Sequence, residues 1–388
     1  MAGSENPPNG RLHSCLTVDV EDWYHILDSP AAPSLTSWPS LESRIERNLE
    51  ALLEVLETYS VKVTFFWLGW LAKRHQALVH LCHNAGHEIA SHGYGHVLAY
   101  EVGPQAFRQD IVRAKAILED MIAEQVRGFR APGFGITNKA AWAFDVIREA
   151  GYQYDSSVFP ASRGHGGIPD SLLGLYFVET RSGHLLEIPM SIVEVFGRRT
   201  SFFGGGYLRL ASRRMIKWGI DKLQAAKQPL IVYVHPREID PDQPRLPLSL
   251  MRQFKCYVNL DSTLPKLKWL CRNYRFYTML EMVESYIRSF YLESKMIPVM
   301  RLSHNQAGNE LPGGILKGAA FGDVSSEGGH PQASLEAATY REACRSRLLL
   351  VERAMADFLQ SQAAPPMQQS PSLEPRLRTP IPDDYARL

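Results

Sequence analysis

The feature that most constrains this chain is a regular alternation of short apolar runs and amphipathic segments between residues 15 and about 290. Apolar runs of strand length include CLTVDV (15–20), VKVTFFW (61–67) and LIVYVH (230–235). Strands that alternate with helices form parallel sheets, because the crossover helix returns the chain to the edge where the strand began. Six to eight such units predict an α/β fold: a single irregular (β/α) barrel of seven or eight strands over residues 15–292.

Helical periodicity fills the gaps between these runs. Leucine and isoleucine recur at three- and four-residue spacing from Leu41 to Leu56, which predicts an amphipathic helix. The same reasoning predicts further helices over 70–84, 104–125, 138–150 and 211–226, and further strands over 87–91, 126–131, 152–157 and 185–193.

The two ends of the chain lack this rhythm. Residues 1–14 are polar and rich in Pro and Asn, which predicts a flexible N-terminus. Residues 293–334 are rich in Gly, Ser and Asn and are predicted to be a linker. An amphipathic helix is predicted over 335–362, where it could mediate self-association, and the Pro-rich tail at 363–388 is predicted to be disordered.

Composition excludes several classes of function. The 42 basic residues nearly balance the 41 acidic ones, so no overall positive field favours nucleic acid. No uncharged apolar stretch reaches the roughly 18 residues of a membrane span, and no signal-peptide pattern is seen, which predicts a cytosolic protein. The five cysteines are odd in number and lack CxxC spacing, so we expect reduced thiols rather than disulfides or a zinc ribbon.

The strongest chemical signal is SHGYGH (91–96), which places His92 and His96 directly after a predicted strand. Two imidazoles at this spacing can bind one divalent ion, although thirteen histidines will also produce such a spacing on a surface by chance. Two other predicted strands end in ionisable residues, at VDVEDW (18–23) and YVHPRE (233–238). A barrel brings such ends to one mouth, which favours a metal site there.

The acidic residues at the first of these strand ends have more than one possible role. Asp19, Glu21 and Asp22 would be costly to bury without hydrogen bonds, counter-charges or a metal. Asp22 could instead cap the helix that follows.

Five short motifs occur in a fixed order over about 220 residues: VDVEDW (18–23), SHGYGH (91–96), FRAPGF (129–134), YDSSVFP (154–160) and VYVHP (232–236). This ordered set resembles the polysaccharide deacetylase family with the NodB homology domain, also called carbohydrate esterase family 4. The spaced acids of the first motif resemble the branch with peptidoglycan deacetylase-like and allantoinase-like members. VDVEDWYH (18–25) and FFGGGYLRL (202–210) resemble the exopolysaccharide-locus deacetylases found beside exosortase-type systems.

The resemblance implies a NodB-type barrel and a role for each motif residue. Asp19 corresponds to the catalytic base and His235 to the acid that protonates the leaving amine. Asp22 is the first choice for the metal carboxylate beside His92 and His96, with Glu21 as the alternative.

Two further residues are expected to support this pair. Arg130 is expected to hold Asp19 ionised, unless it forms only a surface ion pair. Asp155 is expected to hydrogen-bond His235, unless it only forms a turn with the serines after it.

The residues beside the motifs are the candidates for substrate contact. Glycines 204–206 allow close approach of backbone to a ligand, or form a simple flexible turn. The expected substrate-binding residues are Trp23, Tyr24, Pro132, Phe134, Gly205 and Tyr207, although the aromatic ones could also be packing residues.

The resemblance implies hydrolysis of N-acetyl groups on amino sugars of a polysaccharide or its precursor, with a divalent ion as cofactor. Zn²⁺ is the expected ion, and Co²⁺, Ni²⁺, Mn²⁺ or Fe²⁺ would fit the same donors. The alternatives are an allantoinase-like cyclic amide hydrolase and a non-catalytic carbohydrate-binding protein. One departure is Arg237, which stands where relatives often carry an aromatic residue and which either tunes the choice of substrate or has no effect.

Overall fold

The structure is a computed structural model that describes residues 14–27, 29–164, 166–292 and 297–301. Within the third range, the side chains of residues 289–292 are not described. The predictions for the first 13 residues, for the helix at 335–362 and for the tail at 363–388 lie outside the described residues. None of the described helices is long and apolar enough to cross a membrane.

The described chain alternates between strands and helices as the sequence predicts. The strands are β1 (Ser14–Val20), β2 (Thr64–Trp67), β3 (Glu88–Ser91), β4 (Gly128–Phe129), β5 (Tyr154–Asp155), β6 (Tyr176–Thr180), β7 (Gly183–Glu187), β8 (Val193–Val195), β9 (Arg198–Thr200), β10 (Leu230–Val234) and β11 (Val299–Arg301). The helices are α1 (Ile45–Thr58), α2 (Gly69–Arg74), α3 (Gln76–Asn84), α4 (Ala99–Ile122), α5 (Ala143–Glu149), α6 (Gly205–Leu210), α7 (Arg213–Ala225), α8 (Leu250–Tyr257), α9 (Thr263–Asn273) and α10 (Met279–Leu292).

One sheet organises the molecule. Its order is β10-β1-β2-β3-β4-β5-β7-β6-β11, and β8 pairs only with β9. From β10 to β7 all neighbouring strands are parallel, whereas β6 is antiparallel to β7. The α/β class is therefore confirmed, and the seven parallel strands are extended by β6 and β11 into a nine-stranded sheet.

The two ends of the parallel run are joined by the segment after β7. Ser191 Oγ accepts a hydrogen bond from the Ile231 amide (2.7 Å) and donates one to the Pro229 carbonyl (2.8 Å). Farther along, the Tyr233 amide donates to the Phe203 carbonyl at 3.0 Å. These bonds replace a regular strand pair, so the barrel closes irregularly.

Gly204 is required at this closure. It forms an isolated parallel bridge with Tyr233, and a Cβ atom there would lie 2.1 Å from Cδ1 of the Tyr233 ring. No larger side chain fits this approach without movement of the tyrosine.

Several predicted boundaries are wrong in detail. The helix predicted over 70–84 is two helices, α2 and α3, that break at His75. The run 185–193 is not one strand, because β7 ends at Glu187 and β8 begins at Val193. Two hairpins, β6–β7 and β8–β9, were not predicted, and β11 lies in a stretch predicted to be linker.

The sheet positions the site because its parallel strands end at one edge. The bodies of the strands are apolar and fully buried, with Val18, Phe65, Phe129 and Val232 at 0–1% exposure. Polar residues follow at the carboxyl ends, which is where parallel α/β sheets and barrels place their active sites.

Candidate active site

Glu21, His92 and His96 meet at the carboxyl ends of β1 and β3. The Glu21 Oε1 atom lies 3.0 Å from Nε2 of His96 and 3.3 Å from Nε2 of His92. All three residues are buried, and one ligand atom from each lies within 4.8 Å of the others. Two imidazoles and one carboxylate suit a divalent ion that keeps open positions, so these residues form a possible metal site.

The local chain fixes the orientation of both histidines. Nδ1 of His92 lies 2.7 Å from the Arg130 carbonyl, to which it can only donate, so the Nε2 lone pair is left for a ligand. His96 follows a tight loop and has a left-handed φ of 56°. The amides of Tyr94 and Gly95 in that loop donate to the Asp110 carboxylate at 2.7 and 2.8 Å. Sequence reasoning missed Asp110, because its contact is with a backbone loop 15 residues earlier.

Asp22, the first choice for the metal carboxylate, is turned away from the histidines. Its oxygens accept hydrogen bonds from the Trp23 amide (2.8 Å), the Ser43 hydroxyl (2.6 Å) and the Arg44 amide (3.0 Å). The turn after β1, in which the Glu21 amide donates to the Asp19 carbonyl, directs Glu21 to the histidines instead. The preference for Asp22 is therefore corrected to Glu21, and Asp22 satisfies the backbone at the start of α1.

Asp19 and Arg130 form a buried ion pair beside this cluster. Arg130 is fully buried, and its Nη1 donates to Asp19 Oδ1 at 2.6 Å and to Thr17 Oγ1 at 2.8 Å. The other guanidinium nitrogens donate to the carbonyl and hydroxyl of Ser156 at 3.2 and 3.1 Å. A guanidinium held at this many points fixes the position of Asp19.

His235 has carboxylates near both ring nitrogens: Asp19 and Glu21 near Nε2, and Glu238 near Nδ1. Its Nε2 is 3.6 Å from Glu21 Oε1 and 3.9 Å from Asp19 Oδ2. Its Nδ1 is 3.1 Å from Glu238 Oε2, and Glu238 in turn is 3.1 Å from Nε of the buried Arg209. Glu238 and Arg209 were missed, although the spacing in HPRE (235–238) is that of a capping box that could have revealed Glu238.

Asp155, expected to hold His235, is engaged elsewhere. Its Oδ1 accepts from the Ser157 hydroxyl at 2.5 Å, and its neighbour on β7 is Glu187. Asp155 Oδ2 and Glu187 Oε2 are both buried without any other partner. The two side chains are hydrogen-bonded to each other and burial raises the pKa of both, which makes this pair part of the core rather than of the site.

The charges of the site are set by neighbours more than by burial. Burial raises the pKa of Glu21, but His96, His235 and His92 outweigh it and hold that pKa well below its usual value. Burial lowers the pKa of His235, but Glu21 and Glu238 outweigh it and leave that pKa raised. Near neutral pH, Glu21 is therefore an anion next to a histidine that tends to keep its proton.

A cavity of about 390 Å³ opens on these groups. Of the residues expected at the substrate, Phe134, Gly205 and Tyr207 line it, together with Asp19, Glu21, His96 and His235. Trp23, Tyr24 and Pro132 are buried and do not line this cavity in the described part of the chain. Trp23 donates its indole N–H to the Glu42 carbonyl, so its role here is in packing.

Two family models match successive parts of the chain. Residues 38–154 match the model described as polysaccharide deacetylase, and residues 156–284 match a domain of unknown function, DUF3473. His92, His96 and Arg130 fall in the first match and His235 in the second, whereas Asp19 and Glu21 precede both. The site is thus assembled from three successive stretches of sequence.

Two similar curated proteins are both named as deacetylases. Two peptidoglycan-N-acetylglucosamine deacetylases of Bacillus cereus are 34% identical over 102 residues and 31% identical over 93 residues. These matches cover 26% and 24% of this chain and 46% and 34% of the relatives. The chain therefore spans less than half the length of either relative.

Similar solved structures include a putative polysaccharide deacetylase from Mycobacterium smegmatis, with 17% identity, a TM-score of 0.49, and coverage of 80% of this chain and 99% of that one. Puue allantoinase has 17% identity and a TM-score of 0.49, and the match covers 73% of this chain and 92% of that one. By its family models and its curated relatives, the chain contains a polysaccharide deacetylase domain at residues 38–154, followed by DUF3473 at residues 156–284.

Proposed function

We propose that this protein is a divalent-metal-dependent hydrolase that removes N-acetyl groups from the amino sugars of a polysaccharide or of its precursor. The observation that carries the proposal is the meeting of Glu21, His92 and His96 beside two separately supported groups, Asp19 and His235. A metal-binding trio, a base and an acid at one cavity are what amide hydrolysis requires.

The ion would be held by Glu21, His92 and His96, and Zn²⁺ is the ion we propose. When bound, it would polarise the amide carbonyl and lower the pKa of water at the site to about 7. Co²⁺, Ni²⁺, Mn²⁺ and Fe²⁺ accept the same donors, so the metal is to be identified by measurement.

Asp19 is placed to act as the general base. Arg130 occupies its Oδ1 atom, while Oδ2 faces the cavity side 3.9 Å from His235 Nε2. The arginine holds the carboxylate in position, and the remaining oxygen can take the proton of the attacking water. General bases of this kind contribute roughly 10²- to 10⁴-fold to the rate.

His235 is placed to act as the general acid. Nδ1 of His235 donates a hydrogen bond to Glu238 Oε2, so Nε2 points at the space between Asp19 and Glu21. The raised pKa of His235 favours the imidazolium that can donate from Nε2 to the departing nitrogen. The leaving group then departs as an amine rather than as an unstable anion.

The carbohydrate part of the proposal rests on the walls of the cavity. Tyr207 is 41% exposed and stacks on Phe159, and Phe134 packs against Tyr233. The exposed ring of Tyr207 can cover the apolar face of a sugar ring. The curated relatives named for peptidoglycan N-acetylglucosamine support the same class of substrate.

The test is acetate release by metal-loaded protein from N-acetylated oligosaccharides, with allantoin cleavage measured in parallel. We expect acetate from at least one oligosaccharide and no cleavage of allantoin. His92→Ala and Asp19→Asn should abolish the release, whereas His80→Ala, on an exposed part of α3, should not change it.

Cleavage of allantoin alone would replace this proposal with the cyclic amide hydrolase. Absence of both reactions in protein that binds one metal ion per chain would favour a non-catalytic role. The cytosolic location and the self-association through 335–362 stay predictions.

A further inference from the structure

The wall of the cavity also carries basic side chains that the proposed reaction does not use. Arg163, Arg237, Arg252 and Lys255 line the same cavity as Asp19 and His235. The ion pairs around the site engage Arg130, Arg209 and Arg44, and none among the described residues involves these four side chains. We call them the basic wall.

Arg237 is the most unusual of the four. It is only 8% exposed, yet its Nε and Nη1 atoms are buried and have no hydrogen-bond partner in the described chain. A buried guanidinium with unpaired donors is unfavourable unless a ligand supplies the acceptors. Its position in the wall of the cavity provides a place for such a ligand.

The nearby acids form their ion pairs with other residues. Glu238 lies 3.1 Å from Arg209 and 3.1 Å from His235, with one oxygen on each. Asp240 contacts both Arg44 and Arg47, at 3.3 and 3.5 Å. Among the described residues, Arg237 therefore forms no direct ion pair, and Glu238 acts on it only at longer range.

Two other members of the wall also lack an acidic partner among the described residues. The Arg163 guanidinium lies over the rings of Phe159 and Phe134, 4.7 and 5.0 Å from their centroids, and contacts the Tyr233 hydroxyl, while its Nη1 has no hydrogen-bond partner in the described chain. Nε of Arg252 is also buried without a partner, although its Nη2 donates to the Leu27 carbonyl. Several guanidinium groups that face one cavity without an acidic partner among the described residues favour an anion over a neutral hydroxyl group.

We propose that the basic wall is a subsite for a carboxylate or phosphate group that the substrate carries beside the N-acetylated sugar. A uronic acid in the polymer and the diphosphate of an activated sugar precursor are the two sources of this chemistry. The inference rests on the proposed deacetylation and narrows it to anionic substrates. Arg237 lies two residues after His235, so the subsite adjoins the reacting end of the cavity.

The test compares three substrates of the metal-loaded enzyme. They are a neutral N-acetylglucosamine tetramer, a tetramer that alternates N-acetylglucosamine with glucuronic acid, and UDP-N-acetylglucosamine. We expect kcat/KM for one anionic substrate to exceed that for the neutral tetramer at least tenfold, and the ratio to fall as salt is added. The preferred anionic substrate identifies the source, uronate or diphosphate.

Variants then assign the preference to the wall. Arg237→Gln should lower the ratio of anionic to neutral kcat/KM at least tenfold, and Arg163→Gln is a second, independent variant that should lower the same ratio. Arg214→Gln removes an exposed arginine of α7 and should keep the wild-type ratio. Equal or better turnover of the neutral tetramer, or a ratio that Arg237→Gln leaves unchanged, would overturn the subsite.

A binding measurement tests the anion subsite independently of the proposed deacetylation. If no substrate releases acetate, the deacetylation fails, and calorimetric titration of the same three compounds still tests the wall. The account predicts that an anionic compound binds at least tenfold more weakly to Arg237→Gln than to wild type. Equal affinity in the two proteins would refute the anion subsite.

Discussion

Two groups of buried carboxyls lie at the carboxyl ends of strands of the same sheet, and they differ in their partners and in the direction of their pKa shifts. Glu21, after β1, faces three imidazoles, and its pKa is held well below the usual value in spite of burial. Asp155 and Glu187, at the ends of β5 and β7, face each other, and burial raises the pKa of both. Position at a strand end therefore does not identify a functional carboxylate, because the partners decide whether it is charged.

The same difference divides the sheet into two regions. On the side of β10, β1 and β3, ionised groups open on a cavity that can take a metal and a substrate. On the side of β5 and β7, the buried carboxyls of Asp155 and Glu187 have raised pKa values and lie in the core. Arg130 lies between them, bonded to Asp19 and close enough to Glu187 to lower its pKa slightly.

The largest expected effect comes from removal of this shared cation. Arg130→Gln leaves Asp19 buried without a counter-charge, and breaking a buried pair in this way costs about 3–5 kcal/mol of unfolding free energy. We expect acetate release to be lost as well. Denaturant unfolding should be compared with Arg127→Gln, whose half-buried side chain makes a 3.9 Å contact with Glu284 and whose loss should cost about 1 kcal/mol or less. Equal losses in the two variants would contradict the role of Arg130.

The next effect distinguishes Glu238 from Asp155 as the partner of His235. Burial raises the pKa of Glu238, but Arg209 and His235 outweigh it and lower that pKa to about 2, so Glu238 is ionised across the neutral range. Glu238→Gln removes this charge and lowers the pKa of His235, so the alkaline limb of the kcat profile should move to lower pH. At neutral pH, kcat should fall on the order of 10- to 100-fold.

Asp155→Asn is the matched control and should leave the position of this alkaline limb unchanged. Thermal unfolding of both variants separates loss of the fold from loss of the acid. A shifted profile for Asp155→Asn with an unchanged profile for Glu238→Gln would reverse the assignment.

The smallest effect concerns stability and pH. Burial raises the pKa of Asp155 to about 6, so the folded protein holds protons that the unfolded chain has already released above pH 4–5. Stability should therefore decrease as pH rises from about 4 through 6, because the folded state binds more protons. Glu187→Gln should make this decrease smaller. Between pH 4 and pH 7, the variant should lose less unfolding free energy than wild type, by on the order of 1–2 kcal/mol. Parallel denaturant curves at the two pH values measure it, and identical slopes would show that the carboxyls share no proton.

Much of the fold could be predicted from local sequence. The runs at β1, β2 and β10 are apolar because both faces of a parallel strand are buried, and periodic leucines mark α1. The β6–β7 hairpin was missed because it interrupts the βα rhythm. The segment after β7 resembles a strand, but it closes the barrel through Ser191 and the backbone near Gly204.

The sequence motifs were enough to predict where the site lies, but not which carboxylate has which role. Two histidines after a strand, with acids and a third histidine at other strand ends, were enough to predict the possible metal site that Glu21, His92 and His96 form. The choice between Glu21 and Asp22 depends on one tight turn, which no spacing rule specifies. Asp155 was misplaced because its partner, Glu187, is 32 residues away in sequence and its contact arises only from the pairing of β5 with β7.

The most direct test of the account is the metal affinity of two neighbouring variants, Glu21→Gln and Asp22→Asn, measured by equilibrium dialysis with metal analysis. The account predicts one divalent ion per wild-type chain. It also predicts affinity weakened by more than about a hundredfold in Glu21→Gln, since even indirect partners of a metal contribute about 10- to 100-fold. Asp22→Asn should bind the ion as wild type does and lose only about 1 kcal/mol of stability from the contacts at the start of α1. Loss of the ion in Asp22→Asn, with wild-type affinity in Glu21→Gln, would contradict it.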